Sequence, residues 1–378
     1  MRKRAIVLGC GLVGATMVRD LADDSGFVLT AADISEENPR KLDSLPRVTT
    51  QRVDLSDPAC VQAAIQDHDI VLGALPSRIG FQTLQTVIEA GKPYCDISFM
   101  PEDALELDTL AKKHGVVAIV DCGVSPGLSN LCVGHAYARL NRTERAVILV
   151  GGLPKVRRWP FDYKAPFAPS DVIEEYTRPA RMVENGKIVE KPALSEPELI
   201  DFPGVGTLEA FNTDGLRSLI RTVDIPNMKE KTLRYPGHIE LMRILRETGF
   251  FDNTEIDVRD VKVRPRDVTS KLLFPKWTLD EGEEEFTIMR VVVEGRKGEQ
   301  PVRHTYELFD EYDRDSGLPS MARTTGFPCT ILARMVARGE LAGPGVFPLE
   351  MLADRDNLFD RMVKELAARG VNLTMRVE

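Results

Sequence analysis

The fold is decided by the stretch AIVLGCGLVG at residues 5–14, in which an apolar run leads directly into closely spaced glycines. The apolar run predicts a strand at 5–9, and VGATMVRDLADD at 13–24 has the spacing of an amphipathic helix. A glycine turn between a buried strand and a helix is typical of the first unit of an α/β fold with a parallel sheet.

The same alternation of apolar runs and helical patterns continues to about residue 125. Further strands are predicted at 27–33, 47–54, 69–75, 93–98 and 115–121. Further helices are predicted at 57–68, 80–91 and 101–115. Continuous runs of Val, Ile and Leu suit parallel strands that are covered on both faces. The pattern therefore predicts an α/β fold with a Rossmann-type doubly wound sheet.

The glycines of the first stretch fit the pattern G-x-G-x-x-G, which binds a dinucleotide when it joins a strand to a helix. Gly9 permits a tight turn, Gly11 lets the backbone approach a pyrophosphate, and Gly14 lets the helix pack closely on the strand. The helix start at Leu12 and Val13 offers free N–H groups and a favourable dipole for phosphate. The alternative is a glycine-rich turn that binds no nucleotide.

An acidic residue, Asp33, ends the second predicted strand, 19 residues after Gly14. A carboxylate there accepts hydrogen bonds from the ribose hydroxyls and repels a 2′-phosphate, so NAD is predicted in preference to NADP. Arg40 and Lys41 lie nearby, and their positive charges favour NADP instead. Asp54 ends the third strand and is expected either to meet the adenine or to cap the helix that starts at Asp57.

Three further strand ends are expected to meet at the crevice that binds ligands in such sheets. The loop after the fourth strand is expected to pass the nicotinamide ribose, or else to be a purely structural turn. The residues of that loop are Ala74, Leu75, Pro76 and Ser77. Asp96 and Asp121 follow the next two strands, and they are the carboxylates best placed to face a nicotinamide. Either of them can instead be a turn or cap residue.

The sequence changes character near residue 144, where strict alternation of apolar and polar residues becomes common. Alternating segments at 285–295 and 300–313 predict a largely antiparallel sheet with one face exposed to solvent. Such a sheet differs from the first domain, so an inserted mixed α/β domain is predicted. A helical pattern at 320–341 is expected to return to the first domain. The predicted division is 1–125 for the Rossmann domain, 126–319 for the inserted domain and 320–378 for the returning helices.

Composition excludes several classes of function. The 378 residues include 49 Lys+Arg and 58 Asp+Glu, and the net charge of −9 argues against a nucleic-acid partner. No apolar stretch reaches the roughly 18 residues of a membrane helix, so no membrane partner is expected. The six cysteines form no C-x-x-C pair, which predicts reduced thiols and a cytoplasmic location. The histidines have no metal-ligand spacing, so no metal is predicted.

Several motifs together resemble the saccharopine dehydrogenase family. They are GCGLVG at 9–14, CDIS at 95–98, CGVSPGLSN at 122–130, VGGLP at 150–154, KEKTLRYPGH at 229–238 and TGFPCTILARMV at 325–336. The resemblance implies a Rossmann-type domain, an inserted domain that binds substrate and mediates dimers or higher homo-oligomers, and NAD(P)-dependent chemistry at an amine carbon. At this compact length the chain is most similar to the lysine 6-dehydrogenases of that family.

That resemblance implies NAD-dependent oxidation of the ε-amine of L-lysine to 2-aminoadipate 6-semialdehyde, which cyclises to piperideine-6-carboxylate. The family's saccharopine reductases carry an acidic residue where this chain has Ser125, and the difference favours a simpler amine dehydrogenase. The amine must be unprotonated to release hydride, and its ordinary pKa is about 10.4, so the site needs a base or desolvation. Asp96 and Asp121 are the candidates for base and for stabilising the cationic imine.

The amino-acid end of such a substrate needs its own contacts. Arg234 and Lys164 are candidates for the α-carboxylate, although each can instead pair with an acid or be solvated. Candidates for the α-amino group are Tyr163, Thr213 and Asp214. His238 follows Tyr-Pro-Gly and can donate to a carboxylate, act as an acid–base group or simply begin a helix.

Two other functions compete with the amine dehydrogenase. One is a reductase that joins an aldehyde to an amino acid or polyamine with NAD(P)H, as in saccharopine or carboxynorspermidine formation. The other, from a different class, is a non-catalytic NAD-binding sensor. Turnover of amines with NAD, and the number of substrates required, distinguish the three.

Overall fold

The computed structural model describes residues 2–280, 282–341, 343–355 and 357–378. The strands, in chain order, are β1 (Lys3–Leu8), β2 (Phe27–Asp33), β3 (Val48–Arg52), β4 (Ile70–Gly73), β5 (Tyr94–Asp96), β6 (Val117–Val120), β7 (Arg142–Pro154), β8 (Ala180–Glu184), β9 (Lys187–Lys191), β10 (Glu198–Phe202), β11 (Gly206–Asn212), β12 (Met228–Arg234), β13 (Ile256–Val258), β14 (Val261–Val263), β15 (Glu285–Lys297), β16 (Gln300–Glu311), β17 (Gly345–Pro348) and β18 (Leu373–Val377).

The helices lie between these strands. In chain order they are α1 (Leu12–Ala22), α2 (Glu37–Arg40), α3 (Pro58–Ile65), α4 (Ser77–Glu89), α5 (Asp108–His114), α6 (Leu128–Tyr137), α7 (Pro169–Thr177), α8 (Leu219–Thr222), α9 (His238–Glu247), α10 (Pro265–Trp277), α11 (Ser320–Ala337) and α12 (Leu358–Ala368), with 3-10 turns at Ala104–Leu107 and Leu349–Leu352. Within the described ranges, none of these helices combines the length and apolar content needed to span a bilayer.

The first compact unit contains a seven-stranded sheet of order β17-β6-β5-β4-β1-β2-β3, and every pair in it is parallel. From β1 the chain runs outward through β2 and β3, and then returns to place β4, β5 and β6 on the other side of β1. The direction of winding therefore changes between β1 and β4, which is where doubly wound sheets bind ligands. The predicted Rossmann-type fold is confirmed.

The first unit is built from both ends of the chain. It comprises residues up to Asn141, then Arg221–Val223 and Ala322–Leu373. The returning segment adds β17 alongside β6, a strand that the sequence pattern did not predict. Arg334 of α11 and Arg369 both donate to the Asp20 carboxylate of α1, at 2.6 and 2.7 Å. These buried ion pairs attach the returning helices to the first helix.

The second unit comprises Arg142–Ile220, Asp224–Met321 and Thr374–Glu378. Its main sheet runs β10-β11-β12-β7-β15-β16-β18, with β8 and β9 attached beside β12. The predicted, largely antiparallel sheet is confirmed with one exception, because β12 and β7 run parallel.

Two further segments and the cysteines can be compared with the sequence. The sequence of residues 155–210 contains many prolines, tyrosines and charged residues with little clear periodicity, yet it forms α7, β8 to β10 and the start of β11. The amphipathic pattern DNLFDRMVKELAARG at 356–370 predicts a final helix, which is observed as α12, and its first residue, Asp356, lies outside the described residues. All six cysteines are free thiols, as predicted for reduced cysteines, and five of them are buried.

Candidate active site

The glycine loop between β1 and α1 has the backbone geometry that the motif predicts. Gly9 has φ +90°, and a Cβ there would lie 2.3 Å from the Ala74 carbonyl oxygen. A Cβ at Gly14 would lie 1.8 Å from the Gly9 carbonyl oxygen, so helix and strand approach too closely for any side chain. At Gly11 a Cβ would meet no heavy atom within 4 Å, so the packing of the loop itself does not require a glycine there. A glycine at this position leaves the backbone open to the close approach of another group.

The start of α1 suits a phosphate group. Its N-cap is Gly11, which provides no side-chain cap, so the first N–H groups of this eleven-residue helix are not satisfied by a side chain. Leu12 is exposed and Val13 is half-buried at the same turn. Together with the open side of Gly11, this arrangement fits the pyrophosphate of a dinucleotide.

The Asp33 carboxylate lies at the end of β2 and is held by the glycine loop. One oxygen accepts from the Cys10 N–H at 2.6 Å and the other from the Ser35 N–H at 2.8 Å. Two nearby guanidinium groups, those of Arg40 and Arg52, pair with Glu36. Asp33 is thus positioned at the loop without a guanidinium partner among the contacts described.

Asp54 forms a local turn and does not cap a helix. It is exposed, and its Oδ1 accepts from the backbone N–H and the hydroxyl of Ser56, at 3.0 and 2.6 Å. These hydrogen bonds lower the pKa of Asp54. The cap of α3 is Asp57, which accepts from the Ala59 N–H at 2.9 Å. The expectation that Asp54 caps this helix was therefore wrong, while its contact with adenine stays a prediction.

The loop after β4 packs against the glycine loop. Ala74 donates its N–H to the Leu8 carbonyl at 2.8 Å, and a Cβ at Gly9 would lie 3.3 Å from Leu75. Pro76 then serves as the N-cap residue of α4, which begins at Ser77. This loop therefore borders the same crevice as the glycine motif.

Asp96 is a fully buried carboxyl group at the end of β5. Its Oδ1 accepts from the Ser98 hydroxyl at 2.7 Å, the Ser98 N–H at 3.2 Å and the Tyr94 hydroxyl at 3.2 Å. Its Oδ2 has no hydrogen-bond partner among the described residues. Burial, with a smaller contribution from the charge of Asp121, raises the pKa of Asp96 to about 7. Asp96 can therefore exchange a proton near neutral pH.

Asp121 follows β6, the strand adjacent to β5, and is 4% exposed. Its φ of +52° is unusual for a residue other than glycine. Such strain is retained where the surrounding structure requires it, and it concentrates at functional sites. Asp96 and Asp121 therefore form a pair of interacting buried acids at neighbouring strand ends. The partners Tyr94 and Ser98 were missed, although both lie two residues from Asp96 in the sequence.

In the second unit, Arg234, Tyr163 and His238 come together in one buried cluster. The Arg234 guanidinium stacks 4.4 Å from the centre of the Tyr163 ring and donates to Glu175 at 2.6 Å. Its Nε donates to the Tyr176 hydroxyl at 3.1 Å. Arg234 therefore pairs with an acid of the chain, and that acid is largely buried.

His238 completes this cluster as a neutral imidazole. Its Nδ1 donates to the Phe161 carbonyl at 2.9 Å, so its Nε2 accepts from the Tyr176 hydroxyl at 2.9 Å. Burial, with the nearby charge of Arg234, lowers the pKa of His238 to about 3. Both ring nitrogens are occupied and the residue begins α9, so it does not act as an acid–base group near neutral pH.

The remaining predicted substrate residues do not join this cluster through their polar atoms. The Lys164 ammonium contacts the Thr278 carbonyl at 2.8 Å, Glu283 at 2.9 Å and Asp280 at 3.2 Å, which occupies all three of its donors. Lys164 is thus not solvated. The Asp214 carboxylate binds the Arg181 guanidinium in a bidentate manner, at 2.7 and 2.8 Å.

Thr213 follows β11 and contacts polar side chains of β12, of which Glu230 and Thr232 were not predicted from the sequence. Glu230, Thr232 and Arg234 alternate along the strand and are all buried. Thr213 shares hydrogen bonds with the Glu230 carboxyl group and with Thr232, and Glu230 also accepts from the Gly215 N–H at 3.1 Å. Burial raises the pKa of Glu230 to about 8. Glu230, Thr232 and Arg234 lie two residues apart in KEKTLR, which places them on the same face of the strand and was the available signal.

Comparisons with known proteins agree with this architecture. The model of the saccharopine dehydrogenase C-terminal domain matches residues 123–371, and that of the saccharopine dehydrogenase NADP binding domain matches residues 5–119. Saccharopine dehydrogenase (NADP(+), L-glutamate-forming) from Pyricularia oryzae is 23% identical over an alignment of 441 positions, which covers 96% of each chain. Carboxynorspermidine synthase from Vibrio alginolyticus is 21% identical over 355 residues, covering 87% of this chain and 84% of the other.

The fold also matches a solved structure. Apo saccharopine dehydrogenase (L-Glu forming) from Saccharomyces cerevisiae superimposes with a TM-score of 0.80 at 18% identity, covering 100% of both chains. The resemblance noted from the sequence motifs is confirmed. The chain therefore belongs to the saccharopine dehydrogenase family of oxidoreductases, whose first domain binds a nicotinamide cofactor.

Proposed function

We propose that the chain catalyses the NAD-dependent oxidative deamination of the ε-amine of L-lysine. The product is 2-aminoadipate 6-semialdehyde, which cyclises to piperideine-6-carboxylate. The observation that carries the proposal is the pair of interacting buried acids, Asp96 and Asp121, on the sheet edge that bears the glycine loop. Two acids at that edge suit a substrate whose reacting group is a cation.

The cofactor is held by residues of the first unit. Gly9, Gly11 and Gly14 with the start of α1 bind its pyrophosphate, and the Asp33 carboxylate accepts from its ribose hydroxyls. The preference for NAD over NADP rests on the Asp33 charge. When bound, the oxidised nicotinamide supplies the acceptor for a hydride. The loop from Ala74 to Ser77 and the Asp54 carboxylate complete the proposed contacts.

Asp96 and Asp121 have different proposed roles in the reaction of the substrate amine. Asp96 takes a proton from the substrate ammonium at Oδ2, the oxygen without a partner among the described residues. The free amine then drives hydride from its carbon and becomes a cationic imine, which the Asp121 carboxylate stabilises. Addition of water and loss of ammonia give the aldehyde. A pKa of about 7 at Asp96 allows it to release the proton again near neutral pH.

In the second unit, Tyr163 is the proposed contact for the α-amino group, because its buried hydroxyl has no partner among the described residues. We assign Arg234, Lys164, Asp214, Thr213 and His238 to positioning of the substrate-binding domain, since each already binds groups of the chain. Arg234 and Lys164 already pair with acids of the chain, so they are not available to bind substrate carboxylates. This favours lysine, which carries one carboxylate, over saccharopine, which carries three. The cytoplasmic location remains a prediction from cysteine usage.

A second candidate is supported by the relatives. Proteins named saccharopine dehydrogenase and carboxynorspermidine synthase align over most of this chain. Such an enzyme would use NAD(P)H to join an aldehyde to an amine, or carry out the reverse reaction on a secondary amine. The same acids would then stabilise an imine formed between two substrates.

The test is a substrate panel with the purified chain. L-Lysine with NAD should give reduced nicotinamide absorbance and an aldehyde that ortho-aminobenzaldehyde traps, and NADP should be a poorer oxidant. Asp121→Asn should lose turnover while retaining NAD binding. Turnover of saccharopine, or NADPH consumption that requires both an aldehyde and an amine, with no turnover of lysine, would establish the second candidate. NAD binding without turnover of any amine would identify a sensor.

A further inference from the structure

The segment that follows β2 gathers two arginine side chains around one carboxylate. Glu36 lies three residues after Asp33 and directly before α2. Its Oε2 accepts from Nη2 of Arg40 at 3.1 Å, and its Oε1 accepts from Nη1 of Arg52, also at 3.1 Å. Each oxygen of this carboxylate is therefore used by a different guanidinium group.

Arg52 is fixed beside Asp33 by the sheet and by a backbone contact. Strands β2 and β3 pair in parallel, and Arg52 is the partner of Asp33 in their register. The Arg52 Nε donates to the carbonyl of Ile34 at 3.2 Å, so the guanidinium lies against the residue that directly follows Asp33. A positive group is thus held next to the carboxylate that is the proposed contact for the ribose hydroxyls.

The two guanidinium groups have the chemistry of a phosphate site. In dinucleotide-binding folds, an arginine near the acid that ends the second strand accommodates the 2′-phosphate of NADP. Guanidinium groups bind carboxylates and phosphates through the same pairs of N–H groups. The side chains of Arg40 and Arg52 are 69% and 66% exposed, so a ligand can reach both of them. The group that they bind within the chain is the Glu36 carboxylate.

We propose that Glu36 determines the choice between NAD and NADP, because it occupies the two guanidinium groups that a 2′-phosphate would bind. The inference rests on the proposed cofactor site at Asp33, and it does not depend on the lysine reaction. Glu36 acts in two ways: its charge repels a 2′-phosphate, and both of its ion pairs must break before the arginines can bind that phosphate. NAD carries a hydroxyl group at the same position, so neither effect applies to it.

The expected size of the effect follows from the exposure of the three side chains. Glu36 is 50% exposed and the arginines are more exposed still, so water and salt weaken each ion pair. Two exposed pairs of ordinary strength, together with removal of one like charge, correspond to a gain of about 10-fold in affinity for the 2′-phosphate. Asp33 keeps its own charge, so NADP is improved without becoming equal to NAD.

The test measures binding of the reduced cofactors by fluorescence titration, with no amine substrate present. In Glu36→Gln, the dissociation constant of NADPH should fall by about 10-fold, while that of NADH should stay within about twofold. The matched control is Glu37→Gln. Glu37 is the neighbouring exposed glutamate and forms no ion pair within the described ranges, so this variant removes the same charge without freeing an arginine. Its affinity for NADPH should change by less than about twofold.

A second variant tests whether the freed arginines make the contact. Adding Arg40→Met and Arg52→Met to Glu36→Gln should abolish the gain in NADPH affinity, and circular dichroism checks that each variant is folded. A gain that persists without the arginines, or an equal gain in Glu37→Gln, would overturn the inference. The exposed Lys41 is present in every variant and does not affect the comparison.

The wild-type chain separates this inference from the proposed cofactor preference. If it binds NADH more tightly than NADPH and Glu36→Gln leaves the NADPH affinity unchanged, the inference alone is overturned. If it binds NADPH as tightly as NADH, the preference for NAD and the role of Glu36 both fail. Tighter binding of NADH by the wild type, with a gain for NADPH that requires both Glu36→Gln and the arginines, would establish the proposed role.

Discussion

The buried carboxyl group of Asp96 makes the stability of the first unit depend on pH in a specific direction. The perturbation is Asp96→Asn, which keeps the oxygen that accepts from Tyr94 and Ser98. It replaces Oδ2, which has no hydrogen-bond partner among the described residues, by an amide nitrogen. The variant therefore removes the ionisable group with little change of shape.

The magnitude follows from the pKa. Burial raises the pKa of Asp96 from its ordinary value of 3.8 to about 7. Between these values the unfolded chain is ionised while the folded chain keeps its proton, so the free energy of unfolding falls as pH rises. The loss is complete above pH 7. Between pH 5 and pH 8 the difference in ionisation persists over about two pH units, from pH 5 to pH 7. At 1.36 kcal/mol per unit, the free energy of unfolding should therefore fall by roughly 3 kcal/mol.

The assay is urea denaturation of both proteins at pH 5 and pH 8, followed by circular dichroism. Relative to the wild type, the variant should gain about 3 kcal/mol between the two pH values, and it should lose turnover at both. Asp54→Asn is the matched control at another strand end, because Asp54 is exposed and its pKa is lowered. Parallel pH curves for the wild type and the Asn variant would refute the assignment of a raised pKa to Asp96.

Three further substitutions separate binding from structural roles. Asp33→Ala should reduce kcat/KM with NAD by about 10- to 100-fold, through loss of charged hydrogen bonds, and affect NADP less; equal losses with both cofactors would contradict the assignment. Arg234→Met should lower the free energy of unfolding by about 3 kcal/mol, measured in urea, because Glu175 loses its partner; a raised KM at unchanged stability would instead place Arg234 on the substrate. Lys164→Met should leave the KM for lysine within about twofold, since Glu283 and two other acceptors occupy the ammonium; a larger increase would show a substrate contact.

Much of the fold could be predicted because it depends on local patterns. The strand at 27–33 was predicted with its observed bounds, and the glycine motif had the predicted neighbours. Strand β17 was missed because its four residues, GVFP, are too short to show a period. Its place beside β6 depends on a contact between segments more than 200 residues apart in the chain.

The candidate site was predicted only in part for the same reason. The strand-end rule located Asp33, Asp96 and Asp121 because it needs only the order of elements along the chain. It does not say what else a side chain contacts. The assignment of Arg234 to a substrate carboxylate did not include Glu175. This residue lies 59 residues away in the chain, so the residues around Arg234 give no sign of the ion pair.

The sequence by itself determined the Rossmann-type sheet, the glycine loop and the positions of the three acids, since these follow from spacing along a few consecutive residues. The tertiary structure alone decided which charges remain available to a ligand. Burial and long-range pairing set those properties: they raise the pKa of Asp96, hold His238 neutral and pair Arg234 and Lys164 with acids. Both effects depend on which distant segments pack together, and spacing along the chain does not encode that packing.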